Sequence, residues 1–407
     1  MKMNLNFSKH ALLIFIGIIT ISCSNNDTPE IIKEITKASF IENYAAIASA
    51  NYDDTYNTAV AMKTKIDAFI ASPSETTLAE ARTAWLYARD FYGQTEAYRE
   101  ANGPIDNEDL LGTEGQINAW PLDEGFIDYV YNTVGETVQN GLIGDTSFEL
   151  TEANLINKNE DVDPDDIATG WHAIEFLLWG QDLNYDPINH TTDNYSVSGD
   201  RPFTDYTTAD FAERRKTYLK IVTDLLVNDL NDLNNTWATG GSYRTTFEAL
   251  DEDEAITNIL SGIGFISNGE VAQERIYPAI DEGQENEHSC FSDNTNQDMW
   301  ANVHGLNNVI IGSYTTESGA IISGASLIEL TNEFNTTFGA TLETKADDTI
   351  SKLNTLLGLG KNFDEIVSEE TLESGGPATE LALALIAQSN AISDAAGALG
   401  VSISVAD

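Results

Sequence analysis

Positive charge is what this chain has least of. Its 407 residues carry 20 Lys and Arg against 66 Asp and Glu, a net charge of −46. Such a surface repels phosphate backbones, so nucleic acid is excluded as a partner. Most of the acid is expected to form a solvated coat, and any metal chemistry must rest on specific residues. Cysteine is nearly absent too. Cys23 and Cys290 are the two, so no disulfide framework is available and packing must hold the fold. Histidine occurs five times. No H-E-x-x-H, G-x-S-x-G or P-loop sequence occurs, which removes the familiar signatures of zinc peptidases, serine hydrolases and nucleotide binders.

Long hydrophobic runs are also missing, apart from the start. "ALLIFIGIITI", Ala11 to Ile21, is too short to span a bilayer as a helix, which needs roughly 20 residues. Lys2 and Lys9 precede it, and Ser22 and Cys23 follow. This reads as a lipoprotein signal peptide over residues 1–22, with Cys23 acylated and residues 23–35 a tether. An ordinary cleaved secretory signal is the alternative. The lipoprotein reading predicts an exported protein, anchored by lipid to the outer membrane of a Gram-negative bacterium, on its periplasmic or its surface face.

What the chain does have is helical periodicity. Phe40, Tyr44, Ile47, Val60, Ile66 and Ile70 recur at helical spacing until "ASPS" breaks the pattern. Thr77 and Glu80 form a predicted capping box for the next helix. That helix sets Leu78, Trp85 and Tyr92 seven apart, with Arg82, Arg89, Glu96 and Arg99 on or beside the stripe. The arginines either snorkel to solvent or form a buried charge network. Residues 181–206 hold prolines, a glycine and almost no aliphatics, and mark the best domain boundary. A strong helix resumes from Thr208, with Phe211, Tyr218, Val222, Leu225, Leu226, Leu233 and Trp237 in phase. Further helices are predicted near 243–280, 296–315, 325–357 and 377–397. The class is all-α, as two packed antiparallel helical-bundle lobes over 36–205 and 206–407.

Two stretches carry chemistry. "GWHAIEFLLWG", Gly170 to Gly180, sets His172 and Glu175 three apart, on one helix face, inside an apolar run. That pair can share a metal ion, or be a satisfied core residue and its partner. Gly170 lets another segment approach closely, and Asp163 or Asp165 is placed to cap the helix. "DEGQENEHSCFSDNTNQDM", Asp281 to Met299, gathers Glu285, Glu287, His288, Ser289, Cys290, Asp293 and Asp298. These are metal-capable types, or the caps and turn formers of a polar loop. Cys290 reads as a small buried thiol. Upstream, Glu270 and Glu274 share a helix face with Arg275 beside them, as surface charge or the wall of a pocket.

Taken in order, these motifs resemble the imelysin family, filed as M75 peptidases and related to iron-regulated surface proteins. "ARTAWLYARDFYGQTEAYRE" at 81–100, "GPID" at 103–106, "NAWPLDEGFIDYV" at 118–130, the G-x-H-x-x-E of Gly170, His172 and Glu175, and "EHSCFSDNT" at 287–295 carry the resemblance. It spans roughly residues 36–400. One departure is Asn296, where family members often have His. The resemblance implies a bilobal helical fold with motif residues from both halves meeting at the junction. It implies a metal site, iron first, with His172 and Glu175 as ligands and Glu287 and Asp293 completing or orienting it. Arg82, Arg89 and Arg99 would fix carboxylates or meet a small anionic iron chelate. Glu96, Asp106, Gly170, Glu270, Arg275, His288 and Ser289 would surround the pocket. Implied partners are a metal ion or small anionic ligand, the outer membrane, and iron transporter components. The alternatives are a metal-free binding module for a peptide, glycan or other small ligand, and an envelope metallopeptidase.

Overall fold

Capping chemistry sets the first two long helices. Thr36 is extended and forms a reciprocal capping box with Ser39, so α1 (Lys37–Ala71) starts there. Ser74, just after Pro73, does the same with Thr77, and α2 (Glu75–Thr95) follows. The expected Thr77–Glu80 box therefore sits one step too far along. Extended Ser74 supplies the earlier cap, and Thr77 is its N3 partner.

The protein is described by a computed structural model over residues 34–131, 136–138, 141–182, 185–186, 191–192, 197–283 and 286–405. The predicted signal peptide, Cys23 and Glu285 lie outside the described residues. From Ile35 onward the chain forms one compact unit.

Every residue of α3 (Gly170–Trp179) is buried. A helix apolar on all sides belongs in the interior. Thr169 stands at its N-cap, not Asp163 or Asp165, and the Thr169 hydroxyl donates to Gln116 O at 2.9 Å. α4 (Ala212–Trp237) buries Tyr218, Leu219, Val222, Leu226, Leu230, Leu233 and Trp237 against α1 and α3. α5 (Glu252–Phe265) continues without a break into a π-helical segment, Ile266–Ile276, and a last helical turn to Glu282. After α6 (Thr295–Ile311), the predicted 325–357 helix is two helices. Asn335 ends α7 (Leu327–Phe334), and its side chain caps α8 (Thr336–Leu357). α9 (Pro377–Ala398) closes the bundle.

The all-α class is as the periodicity predicts. Three two-stranded antiparallel ribbons are the only sheets among the described residues: Val130–Tyr131 with Thr137–Val138, Tyr185–Asp186 with Thr191–Thr192, and Ser313–Thr315 with Ile321–Ser323. The helices form two groupings. α1 to α4 pack together, and α9 packs on α5, the π segment and α8. α6 joins the groupings by lying on α2 and α8. In space α4 lies with the first grouping, although it follows residue 205 in sequence.

Buried charge ties the 197–206 stretch down. Asp128 accepts from Arg215 Nε at 2.7 Å and Nη2 at 3.0 Å, and from Arg201 Nη1 at 2.6 Å. All three side chains are buried. None of this has a signature in sequence spacing.

Gly170 shows how tightly α3 is seated. Its φ is +83°, and a Cβ there would stand 2.4 Å from Ile117 O. Gly319 has the same φ of +83° with nothing within 4 Å of its Cβ position. Gly319→Ala should therefore cost only backbone strain, about 1–2 kcal/mol. Gly170→Ala should cost clearly more, because the segment at Ile117 must also move. Urea denaturation of the two variants measures the gap; equal midpoints would contradict the close approach.

Candidate functional site

α3 turns one face toward the second half of the chain. On that face His172 Nδ1 lies 2.9 Å from Glu175 Oε2. The other carboxylate oxygen accepts from Ser292 N at 3.0 Å and Ser292 Oγ at 2.7 Å. Both side chains of the pair are wholly inaccessible to solvent. Burial pushes the Glu175 carboxyl up to about 8 and the His172 imidazole well below its usual value. His172 Nε2 is buried and has no hydrogen-bond partner.

A second imidazole–carboxylate pair stands against the first. His288 Nδ1 is 2.8 Å from Asp298 Oδ2, which also accepts from Ser289 Oγ at 2.6 Å. The His172 and His288 rings meet edge to face with centroids 4.7 Å apart, and Trp120 lies 4.7 Å from the His172 ring on another side. Burial, then Arg275, pushes His288 down to about 4. Burial alone would raise Asp298, but Arg89 and His288 together hold it far below the carboxylate range. Each ring thus has Nδ1 at a carboxylate, and His288 Nδ1 is also 3.3 Å from Arg89 Nη2. In the tautomer that carries the proton on Nδ1, Nε2 is left as a metal-capable donor.

Around these pairs runs a charge network. Arg89 is buried, reaches Asp298 and Asn118, and stacks on Tyr92 and Trp171. Asn118 donates to Glu96 Oε1 at 3.1 Å. Glu96 Oε2 accepts from Arg275 at 2.9 Å and Arg99 at 3.3 Å. Arg99 also reaches Asp106, Glu114 and Glu270 at 3.3–3.5 Å. Glu270 accepts from Arg275 Nη2 at 2.6 Å. On an α-helix, residues five apart point well away from each other; the π segment brings Glu270 and Arg275 to one face. Burial opposes ionisation of Glu270, but Arg275 and Arg99 hold it at about 2. The network opens on a cavity of about 410 Å³ lined by Arg99, Glu114, Trp120, Glu270, Arg275 and His288, among others.

The structure therefore brings together His172, Glu175, Arg89, Glu96, Arg99, Asp106, Glu270, Arg275, His288 and Ser289. Gly170 seats their helix. Arg82 is elsewhere and donates to the carbonyls of Leu178 and Arg201 at 2.9–3.1 Å. Glu287 and Asp293 are not with the histidine pair. They group with Asp182 and Asp364, which act on both. Spacing missed Asn118, Trp120 and Ser292, although each lies within one of the motif blocks. Asn296 ties its side chain to Lys361 O at 2.7 Å. Cys290 is a buried thiol, as expected. Among the described residues no three His, Cys, Asp or Glu side chains already converge as a metal cage.

A family model described as imelysin, Peptidase_M75, matches residues 48–392. The iron-regulated protein A of Synechococcus elongatus is 28% identical over 163 residues, 40% of this chain and 36% of that protein, so the match spans about a third of the relative's length. A crystal structure of an iron-regulated protein A precursor from Parabacteroides distasonis superposes with a TM-score of 0.66 at 20% identity, covering 89% of this chain and 94% of the other. An imelysin-like protein from Psychrobacter arcticum gives 0.56 at 15% identity, covering 91% and 98%. At such identities the two structures establish the helical fold, while the family match, running through both motif blocks, establishes descent: the chain belongs to the imelysin family.

Proposed function

We propose that this protein binds a transition-metal ion, iron first, through the Nε2 atoms of His172 and His288, and serves metal acquisition at the cell envelope. The observation that carries this reading is the His172 Nε2 atom, buried beside a second imidazole with no partner of its own. A sealed polar atom without a partner is costly, and a cation answers that cost. Two imidazoles suit iron, copper or zinc. They are too few for tight binding, so carboxylates of the adjoining cavity and water would supply the remaining oxygens. Glu175, expected as a ligand, has both oxygens engaged by His172 and Ser292. Its role in this reading is to hold the His172 ring, as Asp298 holds His288.

The envelope part rests on the apolar start and Cys23, with a lipid anchor in the outer membrane and iron transporter components as partners. The name of the Synechococcus relative, iron-regulated protein A, supports iron as the cargo.

Calorimetric titration with Fe(II), Fe(III), Cu(II) and Zn(II) tests the reading. His172→Ala and His288→Ala should each abolish the tight phase, and Glu175→Gln should weaken it about 10–100-fold, as loss of a ring-orienting carboxylate does. Unchanged metal binding in both histidine variants would refute it. Absence of binding to the parent protein would leave the cavity as a metal-free ligand pocket.

The cavity wall should also show in the pH dependence of stability. Burial pushes Glu114 up to about 7 against the pull of Arg99. A folded value above the unfolded one favours the protonated native state. The stability Glu114 contributes is thus complete below about pH 4.3 and is lost as pH rises through about 7. Glu114→Gln should flatten the fall in thermal midpoint between about pH 5 and 8; an unaltered slope would place the titration elsewhere.

A further inference from the structure

The turn that brings His288 and Ser292 to the histidine pair sends its other acids a different way. Glu287 and Asp293 lie within electrostatic reach of Asp364, from the helix Phe363–Ser368, and of Asp182. We propose that Asp182, Glu287, Asp293 and Asp364 bind one divalent cation of the calcium class, at a site separate from His172 and His288.

Two buried orphans carry the proposal. Glu287 is 2% exposed and Asp364 3%. Glu287 Oε1 and Asp364 Oδ2 have no hydrogen-bond partner. Their neighbours satisfy only part of the cluster. Thr295 bonds the Glu287 side chain, Asn362 Nδ2 donates to Asp293 Oδ2 at 2.8 Å, and Glu365 N donates to Asp364 Oδ1 at 2.8 Å.

Among the described residues, the leading charged neighbours of Glu287, Asp293 and Asp364 are acids. Lys361, in the same segment, pairs instead with Glu365 and Glu369. Three other buried carboxylates, Glu96, Asp128 and Asp298, each meet an arginine. Here burial and mutual repulsion push Asp293 up to about 8 and Asp364 up to about 7. A buried carboxylate is tolerated only when paired, protonated or bound to a metal.

The donor set decides the class of ion. All four side chains offer hard oxygens and none offers nitrogen or sulfur, which suits calcium rather than the metals that imidazole prefers. Among the described residues no three of these carboxylates already converge on one point, so binding requires the side chains to move inward. Calcium accepts irregular geometry and water in its shell, whereas magnesium demands a near-ideal octahedron. The ion would draw these groups in and fix the turn they share with His288 and Ser292.

The test uses the full chain in detergent, stripped with EDTA and titrated with CaCl2 at about pH 7.5. The expected result is one saturable calcium per chain and a raised thermal midpoint. Glu287→Gln and Asp364→Asn should each weaken binding at least about tenfold, because ligand charge sets calcium affinity. Both should be at least as stable as the parent in EDTA, since they remove repulsion, so misfolding cannot explain the loss. A His172→Ala/His288→Ala double variant should bind calcium like the parent. No saturable heat in the parent, parent-like binding by both acid variants, or loss confined to the histidine variant would each overturn the site. A gain in stability from Glu287→Gln with no calcium heat at all would mean that protons alone neutralise the cluster.

Discussion

The structure turns on the contact between His172 and Glu175, sealed inside a helix with no solvent-facing side. A polar pair in that position must find its remaining partners within the protein. Glu175 finds Ser292, more than a hundred residues along the chain. His172 finds the rings of Trp120 and His288. Segments from three parts of the sequence are thereby required at one place, and α3 can reach them only because Gly170 admits the backbone at Ile117. The fold and the site are the same construction problem.

Arginine decides the state of the buried acids. The chain has eight arginines, and Arg89, Arg99, Arg201, Arg215 and Arg275 are among the buried residues. Each stands at a carboxylate, where a planar guanidinium satisfies several acceptors from one rigid fork. Asp128, Glu96, Glu270 and Asp298 are held low in consequence, although burial works against all four. Where arginine is missing or outweighed by burial, the acids rise: Glu175, Glu287, Asp293 and Asp364. With so few bases in an acidic chain, the acids left without one are a selection with structural meaning. They lie where burial outweighs any nearby guanidinium and favours the neutral form.

Much of this frame was legible in the sequence. Helical periodicity located the long helices, because an apolar stripe repeating every 3.6 residues fits a helix and does not fit a strand. Caps were harder: Ser74 and Thr169, not Thr77 or the Asp163–Asp165 pair, stand at the N-caps. Several polar residues near a helix start are equivalent until the backbone selects one. The π segment has no periodic signature, so the Glu270–Arg275 contact was out of reach. At the site, His172 and Glu175 were visible because their spacing lies within one helix. Spacing says nothing about which helices meet. The convergence on His288 therefore came only from the family resemblance, and the pairing of Glu287 and Asp293 with Asp364 came from neither.

That last difference follows from a simple geometric fact. A tight turn directs successive side chains to different sides, so a dense polar stretch such as Glu287–Asp298 need not serve one centre. His288, Ser289 and Ser292 engage the imidazole–carboxylate pairs, while Glu287 and Asp293 join the acid cluster. Asp293 holds a left-handed backbone, φ 57°, which Asp tolerates better than most residues and which lets the turn reverse between the two. The segment is anchored from both sides: Ser292 to Glu175, and Asp293 to Asn362. A displacement of either anchor must be shared by the other, because Ser292 and Asp293 are adjacent in the chain. Whatever neutralises the acid cluster thus also sets how firmly Ser292 and His288 are held against α3, and local charge becomes a constraint on the geometry of the histidine pair.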